Sequence, residues 1–159
     1  MPTAYIALGS NLGDRVKNCE RAIEILRVDQ NDTIAVLRTS PWYHTKAVML
    51  DGKPQPDYCN GVVAIETNLS PEMLLERCRN VERQLGRVRN GERWQARVID
   101  LDILFYHDIV MTTDTLTIPH PEMTKRLFVL EPLCAIAPDV RHPVEGVTIK
   151  ELLRRCSAG

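Results

Sequence analysis

Apolar residues along the chain come in short blocks, and their spacing changes between the strand period of two and the helical period of 3.6. Tyr5-Ile6-Ala7-Leu8 reads as a short buried strand, broken by Gly9-Ser10-Asn11-Leu12-Gly13. From about Asp14 the pattern turns helical, with Val16, Cys19, Ile23 and Leu26 on one face, and the polar stretch 29–32 ends it. Residues 33–43 predict a strand interrupted or bulged near Pro41. A loop over 46–56 holds Gly52, Pro54 and Pro56, and Val62, Val63 and Ile65 then mark a strand over 58–67. Ser70 is a natural N-cap, Pro71 suits the first helical position, and Glu72 favours the positive end of the helix dipole. Leu74, Cys78, Val81 and Leu85 give that helix its stripe, and Gly86 stops it.

Residues 98–106 predict a strand, and 107–118 a hairpin or extended arm. Residues 127–136 look helical but broken by Pro132. Thr148-x-x-Glu151 is a capping box that opens a last helix with Leu152 and Leu153. The order is β-α-β-β-α-β plus a C-terminal extension. It predicts an α+β, ferredoxin-like antiparallel sheet with helices packed on one face. That fold hosts many activities, so function has to come from particular residues.

Composition narrows the classes. A chain of 159 residues fits a single domain spanning 1–159. A net charge of −1 gives no global field for nucleic acid or membrane surfaces. The start lacks the basic and apolar regions of a signal peptide, and no apolar run approaches the roughly 20 residues of a bilayer crossing. A cytoplasmic monomer is the expectation. Five cysteines without a C-x-x-C pair argue against a disulfide framework and a zinc site, and most read as small buried hydrophobes.

The chemistry concentrates in Arg93-Trp94-Gln95-Ala96-Arg97-Val98-Ile99-Asp100-Leu101-Asp102-Ile103-Leu104. In a strand, Asp100 and Asp102 stand on one face while Ile99, Leu101, Ile103 and Phe105 turn into the core. Adjacent carboxylates repel, and a hard cation such as Mg²⁺, which also takes phosphate oxygens, relieves that repulsion. The plain alternative is an edge strand with two solvated aspartates. Arg77, Arg79, Arg83, Arg87, Arg89, Arg93 and Arg97 lead into the pair, and guanidinium forks suit phosphate. Arg77 and Arg83 read as a solvated helix face salt-bridged to Glu76 and Glu82. Arg87, Arg89 and Arg97 lie beyond the helix and read as phosphate ligands.

At this point the sequence resembles the 6-hydroxymethyl-7,8-dihydropterin pyrophosphokinases of folate biosynthesis. The resemblance runs from Ala4-Tyr5-Ile6-Ala7-Leu8-Gly9-Ser10-Asn11-Leu12 to Ile136-Ala137-Pro138. Between these lie Asp57-Tyr58-x-Asn60, Gly86-Arg87-Val88-Arg89, the Arg93–Leu104 run, Leu116-Thr117-Ile118-Pro119-His120-Pro121 and Arg126-x-Phe128-Val129-Leu130. It implies transfer of pyrophosphate from the co-substrate ATP to the hydroxymethyl oxygen of the pterin, with release of AMP.

The resemblance also implies that Asp100 and Asp102 bind two Mg²⁺ ions. It places Glu82, Arg87, Arg89, Arg97, Thr117, His120 and Arg126 around ATP, with Ile103 offering backbone to adenine. Arg87 and Arg97 would neutralise charge on the transferring group and leaving AMP. Thr45, Tyr58, Asn60, Trp94 and Phe128 fall to the pterin. An Asn inside an apolar strand is costly without partners, which sets Asn60 apart. His44, His107 and His142 read as surface or core, and Trp42 as packing.

The sequence departs from the family pattern at three places. Tyr43-His44-Thr45-Lys46-Ala47-Val48-Met49 stands where Tyr-x-Thr-Pro-Pro-x-Gly is usual, so the pterin loop loses two stiffening prolines. Gln95-Ala96 replaces a common Gly-Pro, and Thr115 and Asn90 stand where some members carry basic residues. These changes keep a second reading in view: a paralogue with the same ATP and Mg²⁺ site that acts on, or only binds, a different pterin-like ligand. An RNA-binding module is a poor third, for want of paired stacking aromatics.

Overall fold

The computed structural model describes residues 2–28, 33–45, 58–86 and 98–158. Its centre is a five-stranded antiparallel sheet of β1 (Thr3–Ser10), β2 (Ile34–Thr39), β3 (Tyr43–Thr45), β4 (Tyr58–Thr67) and β5 (Asp100–Tyr106). The spatial order is β2-β4-β1-β5, and β3 continues along β4 beyond the end of β2. The strand expected over 33–43 is thus divided around Pro41. Ser40 ties the gap to β4: its N–H donates to the Val62 carbonyl at 2.9 Å, and its hydroxyl accepts the Val62 N–H at 2.9 Å. Gly61 is required here. A Cβ on it would lie 2.4 Å from the Trp42 ring, which packs directly over the β4 backbone.

Helix α1 (Arg15–Arg27) and α2 (Pro71–Gly86) cover one face of the sheet. Asp14 caps α1 by accepting the Lys17 N–H, and Ser70 caps α2 through the Met73 N–H at 3.2 Å. Cys19, Ala22, Ile23 and Leu26 of α1 and Leu74, Cys78 and Val81 of α2 meet Ala4, Ile6, Leu8, Val63, Ile65, Leu101 and Ile103. Each leucine, isoleucine and valine among them contributes about 1.5–3 kcal/mol on burial. Cys19, Cys59 and Cys78 are buried free thiols in this layer, and burial pushes the Cys78 thiol up to about 12.

The opposite face is covered as well, which revises the expectation of helices on one side only. A hairpin of β6 (Met111–Thr112) and β7 (Thr117–Ile118) precedes a short 3₁₀ turn at Met123–Lys125. Helices α3 (Leu127–Ile136) and α4 (Ile149–Ala158) follow and pack onto Val62, Ala64, Leu104 and Phe105. Pro132 does not break α3. A proline inside a helix costs about 3 kcal/mol. Leu130 and Leu133 are fully buried and Val129 and Ile136 nearly so, and their combined burial outweighs that cost. Thr148 caps α4 through the Glu151 N–H, but the Glu151 carboxylate turns to Arg154 and Arg155 rather than completing the box.

Phe105 departs from the expected alternation. Ile6 pairs with Ile103 and Tyr5 with Phe105, so Leu104 is an extra residue on β5, a β-bulge. Past the bulge, Phe105 joins the α3–α4 layer, packing edge-on against Tyr5 and His142.

Candidate active site

The site is built at the end of the sheet where β1 finishes and β4 and β5 begin. Asp100 and Asp102 are half-buried, while Ile99, Leu101 and Ile103 between and beside them are buried under α1 and α2. The carboxylates therefore share the opposite face, on the strand at the edge of the described sheet. Across β1, Asp100 pairs with Gly9 and Asp102 with Ala7.

On its other side Gly9 pairs with Asn60. Asn60, Gly9 and Asp100 thus form one row across three strands, and the middle residue has no side chain. Asn60 is 7% exposed, and its amide donates to the Thr45 hydroxyl at 3.0 Å. That bond supplies the partner a buried asparagine needs. Thr45 pairs with Tyr58, which is half-buried beside it.

The bulge on β5 brings in the next group. The extra residue's carbonyl, Leu104 O, accepts the His120 N–H at 3.0 Å. His120 is half-buried, and its Nδ1 accepts the Glu122 N–H at 3.2 Å, so the ring proton sits on Nε2. Burial lowers its pKa, the Arg126 charge acts the same way, and the Asp102 carboxylate opposes them. His120, Asp102 and Arg126 therefore lie within one electrostatic neighbourhood. Arg126 is the residue preceding α3 and stacks its guanidinium 5.7 Å above the Phe128 ring, which is 39% exposed. Thr117 is half-buried on β7.

Other expected residues divide into those resolved differently and those outside the described residues. Glu82 is 3% exposed, and its carboxylate accepts from Arg79 and from the Leu101 N–H. The Ile103 side chain is core, so only its backbone is left for a ligand. Arg83 pairs with Glu76, but among the described residues Arg77 meets no carboxylate: it donates to the Ile25, Leu26 and Val28 carbonyls at the end of α1. Helix ends leave carbonyls in need of donors, and a guanidinium answers several at once. Arg87, Arg89, Trp94 and Arg97 lie outside the described residues, as does the loop 46–56.

Sequence reasoning named Arg79, Gly9 and Ser10 within longer motifs but gave none of them a role of its own. Ser10 is buried and donates to the Val98 carbonyl at 2.6 Å, tying the end of β1 to the lead into β5. The i,i+3 spacing of Arg79 and Glu82 was a readable signal; the row through Gly9 depends on register and was not.

Two carboxylates on an accessible face make an incomplete shell for a hard cation, which completes itself with phosphate oxygens and water. Among the described residues no group of three or more His, Cys, Asp or Glu side chains is arranged to hold a metal ion by itself. The donor set present fits Mg²⁺ held jointly with a polyphosphate.

Comparison with known proteins gives the family. The model of the 7,8-dihydro-6-hydroxymethylpterin-pyrophosphokinase (HPPK) family matches residues 5–138. The chain is 43% identical over 157 residues to the 2-amino-4-hydroxy-6-hydroxymethyldihydropteridine pyrophosphokinase of Synechocystis, covering 98% of this chain and 77% of that protein. Its identity to the Haemophilus influenzae protein of the same name is 42% over 155 residues, covering 98% and 93%. The folic acid synthesis protein fol1 of Pneumocystis carinii is 43% identical over 145 residues, or 91% of this chain, and this stretch is only 19% of that longer protein. A Plasmodium falciparum HPPK-DHPS crystal structure superposes with a TM-score of 0.74 at 17% identity, over 97% of this chain and 43% of that one; at this identity it speaks to the fold alone.

These matches make the protein a transferase of the kinase type. It belongs to the 7,8-dihydro-6-hydroxymethylpterin-pyrophosphokinase family.

Proposed function

We infer that the protein transfers pyrophosphate from ATP to the hydroxymethyl group of 6-hydroxymethyl-7,8-dihydropterin, releasing AMP, as a step of folate biosynthesis. Family membership over residues 5–138 carries this reading. The acid pair of β5, one strand away from Gly9 and two from Asn60, gives it a physical basis. No observation favours the paralogue with a different ligand.

In the site we propose, Asp100 and Asp102 hold two Mg²⁺ ions, which when bound supply the charge neutralisation that phosphoryl transfer needs. Arg87, Arg89, Arg97, Thr117, His120 and Arg126 receive the phosphates and ribose of ATP. Adenine meets the backbone of Ile103. In an antiparallel strand, main-chain groups two residues apart address the same edge, so Ile103 shares the outward edge on which Leu101 meets Glu82 and Arg79. Thr45 and Asn60 read the polar edge of the pterin. Tyr58, Trp94 and Phe128 supply its faces and borders. The strand order β2-β4-β1-β5 supports a ferredoxin-like core, and we propose one pyrophosphokinase unit acting as a cytoplasmic monomer on two small substrates.

The test is direct. Purified protein with Mg²⁺, ATP and hydroxymethyldihydropterin should produce AMP and the pterin diphosphate in equal amounts. No AMP above a pterin-free control would overturn the reading. Sedimentation velocity tests the monomer.

A further inference from the structure

Among the described residues, the edge of β5 is held by a pair of side chains in place of another strand. Leu101 lies between Asp100 and Asp102, and both of its main-chain groups point away from β1. The Leu101 N–H donates to Glu82 Oε2 at 2.9 Å, and the Leu101 carbonyl accepts from Arg79 Nη1 at 3.1 Å. The same Arg79 nitrogen donates to both Glu82 oxygens, at 3.0 and 2.9 Å. One helical turn of α2 thereby provides the donor and the acceptor that a neighbouring strand residue would have provided.

We propose that Arg79 and Glu82 are positioning residues for the metal-binding carboxylates, acting through the backbone of Leu101. The inference rests on β5 being the cation and nucleotide site. It assigns Glu82 a role distinct from direct contact with ATP. Its carboxylate is 3% exposed and already engaged with a guanidinium and a backbone N–H. Stability alone is a weak reason for the pair: Glu82 is buried but Arg79 is 34% exposed, and taking an ion pair even partly out of water adds little over apolar side chains of similar size. Its geometry has a specific consequence. Two bonds to one residue fix both the translation and the tilt of the peptide units that carry Asp100 and Asp102. Carboxylates that must share cations without closing on each other or splaying apart need that kind of support.

The test uses Glu82→Gln and Arg79→Lys in the full chain. Glutamine keeps an acceptor but turns its amide against Arg79; lysine keeps a charge but loses the fork that reaches Leu101 and Glu82 together. Mn²⁺ binding is followed by electron paramagnetic resonance with a methylene-bridged ATP analogue, nucleotide binding is measured again without metal, and the Leu101 amide is followed by hydrogen exchange in the free protein. We expect Mn²⁺ affinity to fall about tenfold or more in each variant. Leu101 exchange should accelerate, and metal-free nucleotide binding should stay within about twofold. Unchanged Mn²⁺ affinity in a folded variant overturns the proposal. Loss of metal-free nucleotide binding with Mn²⁺ affinity retained does so too, and makes Glu82 a nucleotide ligand. If Glu82→Gln does not fold, Arg79→Lys decides alone. Wild-type protein that binds no Mn²⁺ with the analogue overturns instead the underlying reading of β5.

Discussion

Asn60 and Asp100 occupy one face of the sheet on either side of Gly9, each paired with it across a strand boundary. Strand spacing puts their backbones about 10 Å apart, a span that suits a fused two-ring ligand with one edge at the amide and its reactive arm at the acid pair. Gly9 is the floor beneath that span. A Cβ on it would lie 3.2 Å from Asn60 Oδ1.

Gly9→Ala should therefore weaken pterin binding by about tenfold, which corresponds to about 1.4 kcal/mol. Binding of an ATP analogue should be unchanged. Calorimetry with each ligand separates the two, and equal pterin affinity in the variant would remove Gly9 from the site.

Thr45→Val should act on the same ligand by a different route. It removes the hydroxyl that accepts from the Asn60 amide at 3.0 Å. An unsatisfied buried amide costs about 1–3 kcal/mol, so both the thermal midpoint and the pterin affinity should fall. Thr45→Ser, which retains the acceptor, should recover most of the loss; failure of serine to rescue speaks against the bond.

Asp102→Ala should reduce AMP formation by at least about two orders of magnitude. Folding should be preserved, because the side chain is only half-buried while the core contacts belong to Leu101 and Ile103. Circular dichroism checks the fold. Turnover near the wild-type rate would remove Asp102 from the metal site.

Acid should destabilise the protein partly through His142. Its Nδ1 accepts the Val144 and Glu145 N–H groups at 3.2 and 3.0 Å, and the ring packs on Phe105. Burial lowers its pKa from the usual 6.5, with Glu145 opposing. As pH falls, the unfolded imidazole takes its proton first. The contribution is thus complete above 6.5 and is lost as pH drops through the lower native value. His142→Gln should flatten the dependence of the thermal midpoint on pH between about 7 and 5. An unaltered slope would assign acid sensitivity elsewhere.

Local rules carried much of the element pattern. Asp14, Ser70 and Thr148 cap the helices whose starts they announce, and β4 spans Tyr58–Thr67. They failed at Pro132, where the cost of a helical proline is local but the burial that outweighs it comes from β4 and α4.

For the site, the acid pair and Asn60 were legible because a charged pair, or an amide, within an apolar strand conflicts with its surroundings and so demands a partner. The identity of those partners was not legible. Thr45 reaches Asn60 only because β3 is in register with β4. His120 is held next to β5 only because a bulge frees the Leu104 carbonyl.

Residue chemistry and short-range spacing thus determined by themselves where most of the helices and longer strands lie, which residues stand out as candidates for phosphate and metal chemistry, and the motifs that carry the family resemblance. Tertiary structure alone decided that helices cover both faces of the sheet, that Gly9 separates Asn60 from Asp100, and that Arg79 and Glu82 hold Leu101. The physical reason is range. Capping and periodicity act within a turn or two, whereas strand register, bulges and edge contacts arise only when segments far apart in the chain are packed side by side.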